Sequence, residues 1–192
     1  GGAEPGVDVN VAAAWDTYRG AGVRVAIVDD GLEVDHPDLA ANVDLVNDHD
    51  FNGDDDDPSP GPDDFHGTAC AGVAAAKANN GIGVAGIAGG CSVMPLKVAN
   101  SNGDLGFTAI TNAITYAADN GARVISLSLG AEGGTGEGDI PSTDYALEYA
   151  YSEGVVIFAA TANSNASAIA YPSNHNKVIS VGASSPTGQR KS

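Results

Sequence analysis

The most informative segment of the sequence is Val25-Ala26-Ile27-Val28-Asp29-Asp30-Gly31. Four apolar residues, rich in β-branched side chains, lead directly into two acids and a glycine. A short unbroken apolar run of this kind is typical of a strand covered on both faces, as in parallel sheets. In open α/β sheets, functional groups collect just beyond the carboxyl ends of the strands. Asp29 is therefore predicted to lie at a functional edge of the sheet.

Strand-like and helix-like segments alternate along the rest of the chain. The predicted strands are residues 23–28, 43–46, 92–98, 123–129, 155–160 and 177–181. The predicted helices cover 107–120 and 143–152, with another beginning near His66 and a short helix and turn within 7–22. This alternation predicts an α/β fold, with a doubly wound, mostly parallel sheet and helices on both faces. Pro95 limits its strand to an edge or an irregularity, because proline cannot donate to the ladder.

Composition narrows the class of protein. The 192 residues carry 25 Asp+Glu against 8 Lys+Arg, a formal charge of -17. This charge argues against nucleic acid or an anionic membrane as a partner, because both require basic patches. A secreted protein, a halophilic protein and a binder of hard cations all fit it. No apolar run reaches the ~20 residues of a membrane span, and residues 1–6 lack the features of a signal peptide, so we expect any targeting sequence outside this chain.

Residues 47–64 form an acidic segment with the composition of a surface loop. Its closely spaced acids would repel one another in an ordered loop, so the loop is either mobile or neutralised by a cation. An EF-hand is excluded, because counting from Asp50 places Asp55 at position 6 and Gly61 at position 12. From the residues alone, calcium binding and a solvated acidic surface are both open interpretations.

The segment that follows is His66-Gly67-Thr68-Ala69-Cys70-Ala71-Gly72. Its small residues predict a closely packed helix with His66 in the first turn. A single histidine there is more often structural, but its place after the acidic loop and beside Asp29 makes it a candidate general base. Cys70 and Cys91 could form one disulfide or be two small buried side chains.

Aspartate followed by histidine is the order in which subtilisin carries its catalytic residues. Residues 25–31 and 66–72 resemble the aspartate and histidine motifs of the subtilisin-like serine proteases (subtilases), and residues 36–39, 83–88 and 126–130 match further segments of that family. The resemblance extends from about residue 9 to residue 190. It implies a subtilisin-like fold and a serine endopeptidase that hydrolyses polypeptides through an Asp-His-Ser triad.

The resemblance also implies roles for single residues. Asp29 would orient His66 and stabilise its imidazolium, and His66 would act as the general base. Asn163 corresponds to the asparagine of the family's oxyanion hole, which donates to the developing oxyanion. The family usually has glycine just before this asparagine. Here the residue is Ala162, which would be strained if the backbone requires a positive φ.

A substrate cleft is implied as well, in which a polypeptide pairs as an added strand between two walls. The walls would be Ser128, Leu129 and Gly130 on one side and Gly103, Asp104 and Leu105 on the other. Asp30 corresponds to an acid that recognises a basic substrate side chain in the kexin and furin branch. A second kexin acid is replaced by Gly133, and residues 171–173 look like an ordinary subtilisin, which weakens the case for strict dibasic cleavage. The chain is kexin-like in its first third and subtilisin-like afterwards.

The nucleophilic serine of the family lies in a Gly-Thr-Ser motif, and no serine of this chain has that context. We therefore expect residues 1–192 to be a partial peptidase domain that lacks the catalytic serine and is inactive by itself. The alternative is a pseudoprotease or a peptide-binding module that keeps the cleft without catalysis. A purely structural, cation-binding domain would require both motifs to arise by coincidence.

The resemblance implies calcium at two places. Residues 50–58 match the calcium loop of furin, with Asp50, Asp55 and Asp57 as the expected ligands. A site common to the family would use the side chains of Asp38 and Asn80 and the carbonyl groups of Lys77, Ile82 and Val84. Oxygen ligands of this kind suit a hard cation such as Ca²⁺. We further expect a secreted, cell-surface or periplasmic monomer, with polypeptide substrates and its own propeptide as partners.

Overall fold

The computed structural model describes residues 6–100, 105–131, 136, 138–163 and 169–189. The strands in these ranges are β1 (Arg24–Asp29), β2 (His49–Asp50), β3 (Ser92–Lys97), β4 (Val124–Leu127), β5 (Val156–Ala160) and β6 (Val178–Val181). The α-helices are α1 (His66–Ala75), α2 (Phe107–Asp119) and α3 (Pro141–Ser152), and a 3₁₀ helix at Val11–Asp16 precedes them. None of the helices described is both long and apolar enough to cross a membrane.

The six strands form one sheet in the order β2-β3-β1-β4-β5-β6, and every neighbouring pair is parallel. The order extends from β1 in both directions, which is the doubly wound arrangement. The predicted α/β fold is confirmed. Because the strands are parallel and adjacent, the carboxyl ends of β1, β4 and β5 meet at one edge of the sheet.

Alternate residues of β1 pack against opposite faces of the sheet. Ala26 and Val28 belong to a core shared with α2 and α3, whereas Val25 and Ile27 belong to a second core shared with α1. All four side chains are buried, and burying a valine or isoleucine contributes roughly 1.5–3 kcal/mol. Burial on both faces explains why the strand is an unbroken apolar run in the sequence.

Small residues bring α1 close to the end of β1. Ala71 and Ala75 are fully buried against the sheet. A Cβ atom at Gly67 would lie 2.2 Å from the carbonyl oxygen of Gly31, so a larger residue would force the helix away. The sequence of α1 therefore fixes the position of its first residue, His66, beside the carboxyl end of β1.

One local prediction is wrong, one strand was missed, and the short helix predicted within 7–22 is a 3₁₀ helix. Residues 43–46 do not form a strand, since only Val43 makes a bridge, to Val93. The two-residue strand β2 was not predicted, and it pairs with the end of β3 although it lies in the acidic segment. Residues 11–16 are 3₁₀-helical, and the short segment contributes no buried residue to the core. In each case long-range contacts, or their absence, determine the local structure.

Pro95 lies in β3, which is the second strand of the sheet. The amide of Val93 donates to the carbonyl oxygen of Asn42 on the outer side of β3. By the two-residue period of a strand, position 95 faces the same side. It falls between the Val43 bridge and the pairing with β2, where the outer ladder is interrupted. The irregularity predicted from proline is therefore found at this point.

Candidate active site

The side chains of Asp29 and His66 are in direct contact at the carboxyl end of β1. Asp29 ends the strand with its side chain 5% exposed, whereas the ring of His66, the first residue of α1, is 57% exposed. Nδ1 of His66 lies 2.7 Å from Oδ1 of Asp29. A carboxylate only accepts, so Nδ1 carries the proton and Nε2 is the acceptor nitrogen of the neutral ring. This tautomer can take a proton from a hydroxyl group at Nε2.

The contact changes the proton affinity of both groups. Burial raises the pKa of the Asp29 carboxyl, although hydrogen bonds from His66 and from the Asp30 amide act in the opposite direction. The second oxygen of Asp29, Oδ2, is buried and has no hydrogen-bond partner among the described residues. The hydrogen bond to Asp29 raises the pKa of His66, partly against burial. His66 is thus a stronger base than a free imidazole.

Asp30 binds the first turn of α1. Its Oδ2 accepts from the backbone N–H of His66 at 3.1 Å, and its Oδ1 accepts from the N–H of Gly67 at 2.6 Å. These are two of the four N–H groups that have no partner within a helix, and Phe65 at the N-cap position provides no side-chain bond. Asp30 therefore caps α1 from the preceding loop, with its negative charge at the positive end of the helix dipole.

Both oxygens of Asp30 are thus engaged by the protein itself. This contact does not test the predicted recognition of a basic substrate side chain, but it gives Asp30 a structural role that the sequence-based interpretation did not include. Two consecutive acids thus hold one histidine: Asp29 binds the ring of His66, and Asp30 binds the backbone N–H of His66.

Cys70 lies one helical turn after His66. Its Sγ is 3.9 Å from Nδ1 of His66, and burial raises the pKa of its thiol. Neither Cys70 nor Cys91 forms a disulfide. The sequence left open either a disulfide or two small unpaired side chains, and the structure has the unpaired side chains.

Asn163 follows β5, the strand next to β4 on the side away from β1. It is exposed at the edge where β1 and β4 also end. The preceding residue, Ala162, has a φ of 69°. This is the left-handed region, which costs a non-glycine residue roughly 1–2 kcal/mol. Ala162 therefore has the positive φ at which we expect it to be strained. Residues with strained backbone conformations are concentrated at functional sites.

The first predicted wall of the cleft directly follows β4. Ser128, Leu129 and Gly130 are half-buried. The next residue, Ala131, pairs with Tyr171 in an antiparallel bridge, in which each backbone N–H donates to the other's carbonyl oxygen at 2.8 and 3.2 Å. A Cβ atom at Gly130 would lie 3.1 Å from the carbonyl oxygen of Tyr171. The wall is therefore held against the segment that contains Tyr171.

Only one residue of the second predicted wall is described. Leu105 is 37% exposed just before α2. Gly103 and Asp104 lie outside the described residues, as does Gly133, the position that corresponds to a kexin acid.

The residues of the predicted family calcium site form one hydrogen-bonded cluster around Asp38. Its buried carboxylate accepts from the side-chain amide of Asn80 at 2.7 Å and from the backbone N–H of Val84 at 2.8 Å. These two bonds lower the pKa of Asp38. The N–H of Lys77 donates to the carbonyl oxygen of Asp38, and the N–H of Ile82 donates to Oδ1 of Asn80. The structure therefore brings the five residues together, through the N–H groups of Lys77, Ile82 and Val84 rather than through the carbonyl groups predicted as ligands.

The three acids predicted to bind calcium in the acidic segment are arranged differently. Asp50 is buried, with Oδ1 accepting two backbone N–H groups and Oδ2 lying 3.0 Å from Nζ of Lys97. Asp55 and Asp57 each accept the N–H two residues further on. Across the described ranges, the one group of three potential metal-binding side chains within 4.8 Å is Asp29, His66 and Cys70. The three loop acids thus do not form such a group, although the carboxylates of Asp50 and Asp55 both lie close to Gly53.

Two contacts of this region were missed from the sequence. The capping by Asp30 had only an indirect signal: Phe65 is a poor N-cap residue, which indicates that the cap comes from elsewhere, but Asp30 lies 36 residues before His66. The pairing of Asp50 with Lys97 had none, because it depends on β2 joining the sheet beside β3.

Comparison with known proteins agrees with this geometry. The chain matches the subtilase family of peptidases over residues 20–192. Thermitase from Thermoactinomyces vulgaris is 40% identical over 184 residues, which is 96% of this chain and 63% of thermitase. A protein named calcium-dependent protease from Trichormus variabilis is 36% identical over 208 residues, 99% of this chain and 30% of that protein.

The solved structure of sphericase superposes with a TM-score of 0.77 at 30% sequence identity, covering 98% of this chain and 64% of the sphericase chain. The present chain therefore spans less than two thirds of the length of these relatives.

Proposed function

The chain belongs to the subtilase family, and we propose on this premise that the full-length protein is a serine endopeptidase acting on polypeptides. Residues 1–192 are then part of its peptidase domain. The observation that carries the proposal is the 2.7 Å contact between the exposed ring of His66 and the buried carboxylate of Asp29. A buried carboxylate fixes the tautomer of a ring that substrate can reach, which is the requirement for general-base activation of a serine.

The proposed reaction proceeds through proton transfer at His66. Nε2 takes the proton of a serine hydroxyl while its oxygen attacks the peptide carbonyl carbon, and Asp29 stabilises the resulting imidazolium. The proton then passes to the leaving amine as the C–N bond breaks. Water, deprotonated by His66, hydrolyses the resulting acyl-enzyme and restores the serine hydroxyl. The side-chain amide of Asn163 donates to the oxyanion. No serine in the described part of the chain hydrogen-bonds to the ring of His66, so the nucleophile is proposed to lie elsewhere in the full-length protein.

Substrate is proposed to bind as an extended strand along Ser128, Leu129 and Gly130, with Gly103, Asp104 and Leu105 on the opposite side. Asp30 is proposed to favour basic side chains near the scissile bond only through its charge, because both of its oxygens accept hydrogen bonds from α1. Release of the full-length protein outside the cytoplasm completes the proposal and is consistent with the strongly acidic composition.

Calcium is proposed to bind at the Asp38 cluster. The residue types fit a hard cation, because a buried carboxylate and an amide side chain lie in one cluster with the backbone of Lys77, Ile82 and Val84. Both oxygens of Asp38 and the oxygen of Asn80 accept N–H groups in this arrangement, so they would exchange those bonds for the ion. Bound there, the ion would hold the turn at residues 80–84 against the loop that contains Asp38. The acidic segment fits less well, because Lys97 already neutralises Asp50. Asp55 and Asp57 are proposed as a weaker second site.

The test uses the full-length protein and its His66→Ala variant, with His49→Ala as the matched control. His49 contacts Asp56 in the acidic segment rather than the site. We expect His66→Ala to abolish cleavage of a fluorogenic peptide and His49→Ala to retain it. Full activity of His66→Ala would overturn the proposal. Peptide binding by the wild type without any turnover would instead identify a pseudoprotease.

A further inference from the structure

A polar cluster connects α3 with the segment that pairs with the cleft wall. The hydroxyl group of Tyr171 donates to Oδ1 of Asp144 at 2.7 Å, and the backbone N–H of Gly138 donates to Oδ2 at 2.7 Å. Tyr171 is fully buried, and the side chain of Asp144 is 14% exposed. Both oxygens of one carboxylate in the first turn of α3 therefore bind residues from two other segments.

A buried histidine completes the surroundings of this carboxylate. Nδ1 of His175 accepts from the backbone N–H of Lys177 at 3.2 Å, so Nε2 carries the proton of the neutral ring. Nε2 lies 3.8 Å from Oδ1 of Asp144, which is too long for a hydrogen bond. The carboxylate is thus satisfied by the phenol of Tyr171 and the amide of Gly138, and removal of either leaves a partly buried oxygen without its partner.

The same tyrosine holds the end of the cleft wall through its backbone. Ala131 exchanges two hydrogen bonds with Tyr171, and a Cβ atom at Gly130 would make a tight contact of 3.1 Å with the carbonyl oxygen of Tyr171. The ring of Tyr171 also contacts the ring of Phe107 at the start of α2, with centroids 5.8 Å apart. A continuous series of contacts therefore runs from Asp144 through Tyr171 to Ala131 and Gly130.

We propose that Asp144 and Tyr171 are positioning residues, which fix the wall formed by Ser128, Leu129 and Gly130 at the distance that an extended substrate requires. The proposal rests on the proposed peptidase function. Neither residue contacts substrate. Asp144 fixes the phenol, the phenol fixes the backbone of Tyr171, and that backbone fixes the wall. Tyr171 is fully buried and its hydrogen bond to Asp144 is part-buried, so the position of the tyrosine is set by the fold before any substrate arrives.

The chain provides a matched control. The hydroxyl group of Tyr149, also on α3, donates to Oδ1 of Asp119 at 2.6 Å, in an exposed tyrosine–aspartate pair between α3 and the end of α2. Tyr171→Phe and Tyr149→Phe each remove one phenol oxygen from such a pair. Only the first pair is connected to the wall.

Both variants are made in the full-length protein and compared by hydrogen exchange and by kinetics. In Tyr171→Phe we expect the Ala131 amide to exchange about tenfold faster and KM for a tetrapeptide substrate to rise about tenfold. Turnover of p-nitrophenyl acetate, which does not reach along the wall, should be unchanged. Tyr149→Phe should alter none of these values. Asp144→Asn should act in the same direction as Tyr171→Phe, and it replaces that variant if Tyr171→Phe does not fold.

Equal losses on the peptide and the ester, or an Ala131 amide that exchanges as in Tyr149→Phe, would overturn the proposal. If the wild type cleaves neither substrate, the proposed peptidase function fails instead. The Ala131 exchange rate and the Kd of the uncleaved tetrapeptide then decide whether Asp144 and Tyr171 position the wall.

Discussion

Replacing Asp30 with alanine leaves the backbone N–H groups of His66 and Gly67 without their carboxylate acceptor. Loss of a capping side chain costs about 0.5–2 kcal/mol, and loss of a negative charge at a surface helix N-terminus costs up to about 1 kcal/mol. His66 is exposed, so water can reach its released N–H and offset part of the loss, whereas Gly67 is buried. We therefore expect the free energy of unfolding to fall by about 1–2 kcal/mol. For a domain of this size, the melting temperature should fall by roughly 2–8 °C.

Thermal unfolding of the full-length variant, followed by circular dichroism at a fixed calcium concentration, measures this loss. Asp35→Ala is the control, because Asp35 is an exposed acid of the same loop. The chain carries a net charge of -17, so removal of any acid relieves repulsion. Asp35→Ala should therefore melt at or slightly above the wild-type temperature. A lower melting temperature in Asp30→Ala alone then reports the lost cap rather than the lost charge.

The competing interpretation makes the opposite prediction. If Asp30 acted mainly by recognising a basic side chain, Asp30→Ala would melt like Asp35→Ala and would lose kcat/KM only on peptides with Arg or Lys. That result would refute the capping argument. Asp30→Asn adds a graded test, because its amide oxygen can accept one N–H while its NH₂ group faces the other. Its melting temperature should lie between those of the wild type and Asp30→Ala.

Other measurements test the rest of the site. Asp29→Asn should return the pKa of His66 toward its usual value of about 6.5, as NMR titration of the ring can establish, because the hydrogen bond that raises it loses its charge. Peptide hydrolysis, which needs neutral His66, should then extend to lower pH while its maximum falls about 10⁴-fold. The raised pKa also adds stability that is present below about pH 6.5 and is lost as the pH rises through the folded-state pKa, and this dependence should weaken in Asp29→Asn. Ala162→Gly relieves about 1–2 kcal/mol of strain in the left-handed backbone of the folded state. Glycine also increases the conformational entropy of the unfolded chain, which destabilises the fold by roughly 0.5–1 kcal/mol. The free energy of unfolding in urea should therefore rise by up to about 1 kcal/mol, whereas Ala118→Gly within α2 should lower it by about 1 kcal/mol. A lower free energy of unfolding in both variants would show that Ala162 is not strained. EDTA should lower the melting temperature of the wild type by several degrees, since a ligand at 100 times its Kd stabilises by about 2.7 kcal/mol. Asp38→Asn should abolish this response, and a full response in that variant would exclude calcium at Asp38.

Local patterns in the sequence predicted most of the sheet and its helices. The apolar residues of α2 at positions 107, 110, 114 and 117 repeat with the helical period, and the helix ends at Asp119 beside Gly121 as expected. β1 could be identified because burial on both faces leaves an uninterrupted apolar run. The contact between Asp29 and His66 followed from motifs whose order matched a known family. For α2 and β1 a signal within a few residues was sufficient, whereas the contact between Asp29 and His66, 37 residues apart, was predicted from the order of the motifs.

The features that were missed depend on partners distant in the chain. β2 has no apolar pattern of its own, and it is a strand only because its backbone pairs with Leu96 and Lys97. The hydrogen bond between Tyr171 and Asp144 joins residues 27 positions apart. Neither a propensity nor a motif contains that information, because the stabilisation arises after the sheet has brought the segments together.

The close approach of backbone segments explains how two consecutive acids can hold one histidine. Gly31 has a φ of +119°, and a Cβ atom there would lie 2.9 Å from the carbonyl oxygen of Pro58. On the other side of this loop, a Cβ atom at Gly67 would lie 2.2 Å from the carbonyl oxygen of Gly31. The loop after β1 is therefore confined between the acidic segment and α1. Because α1 begins this close to the strand, Asp29 reaches the ring of His66 while Asp30 reaches its backbone, and a side chain at Gly67 would separate the helix from both acids.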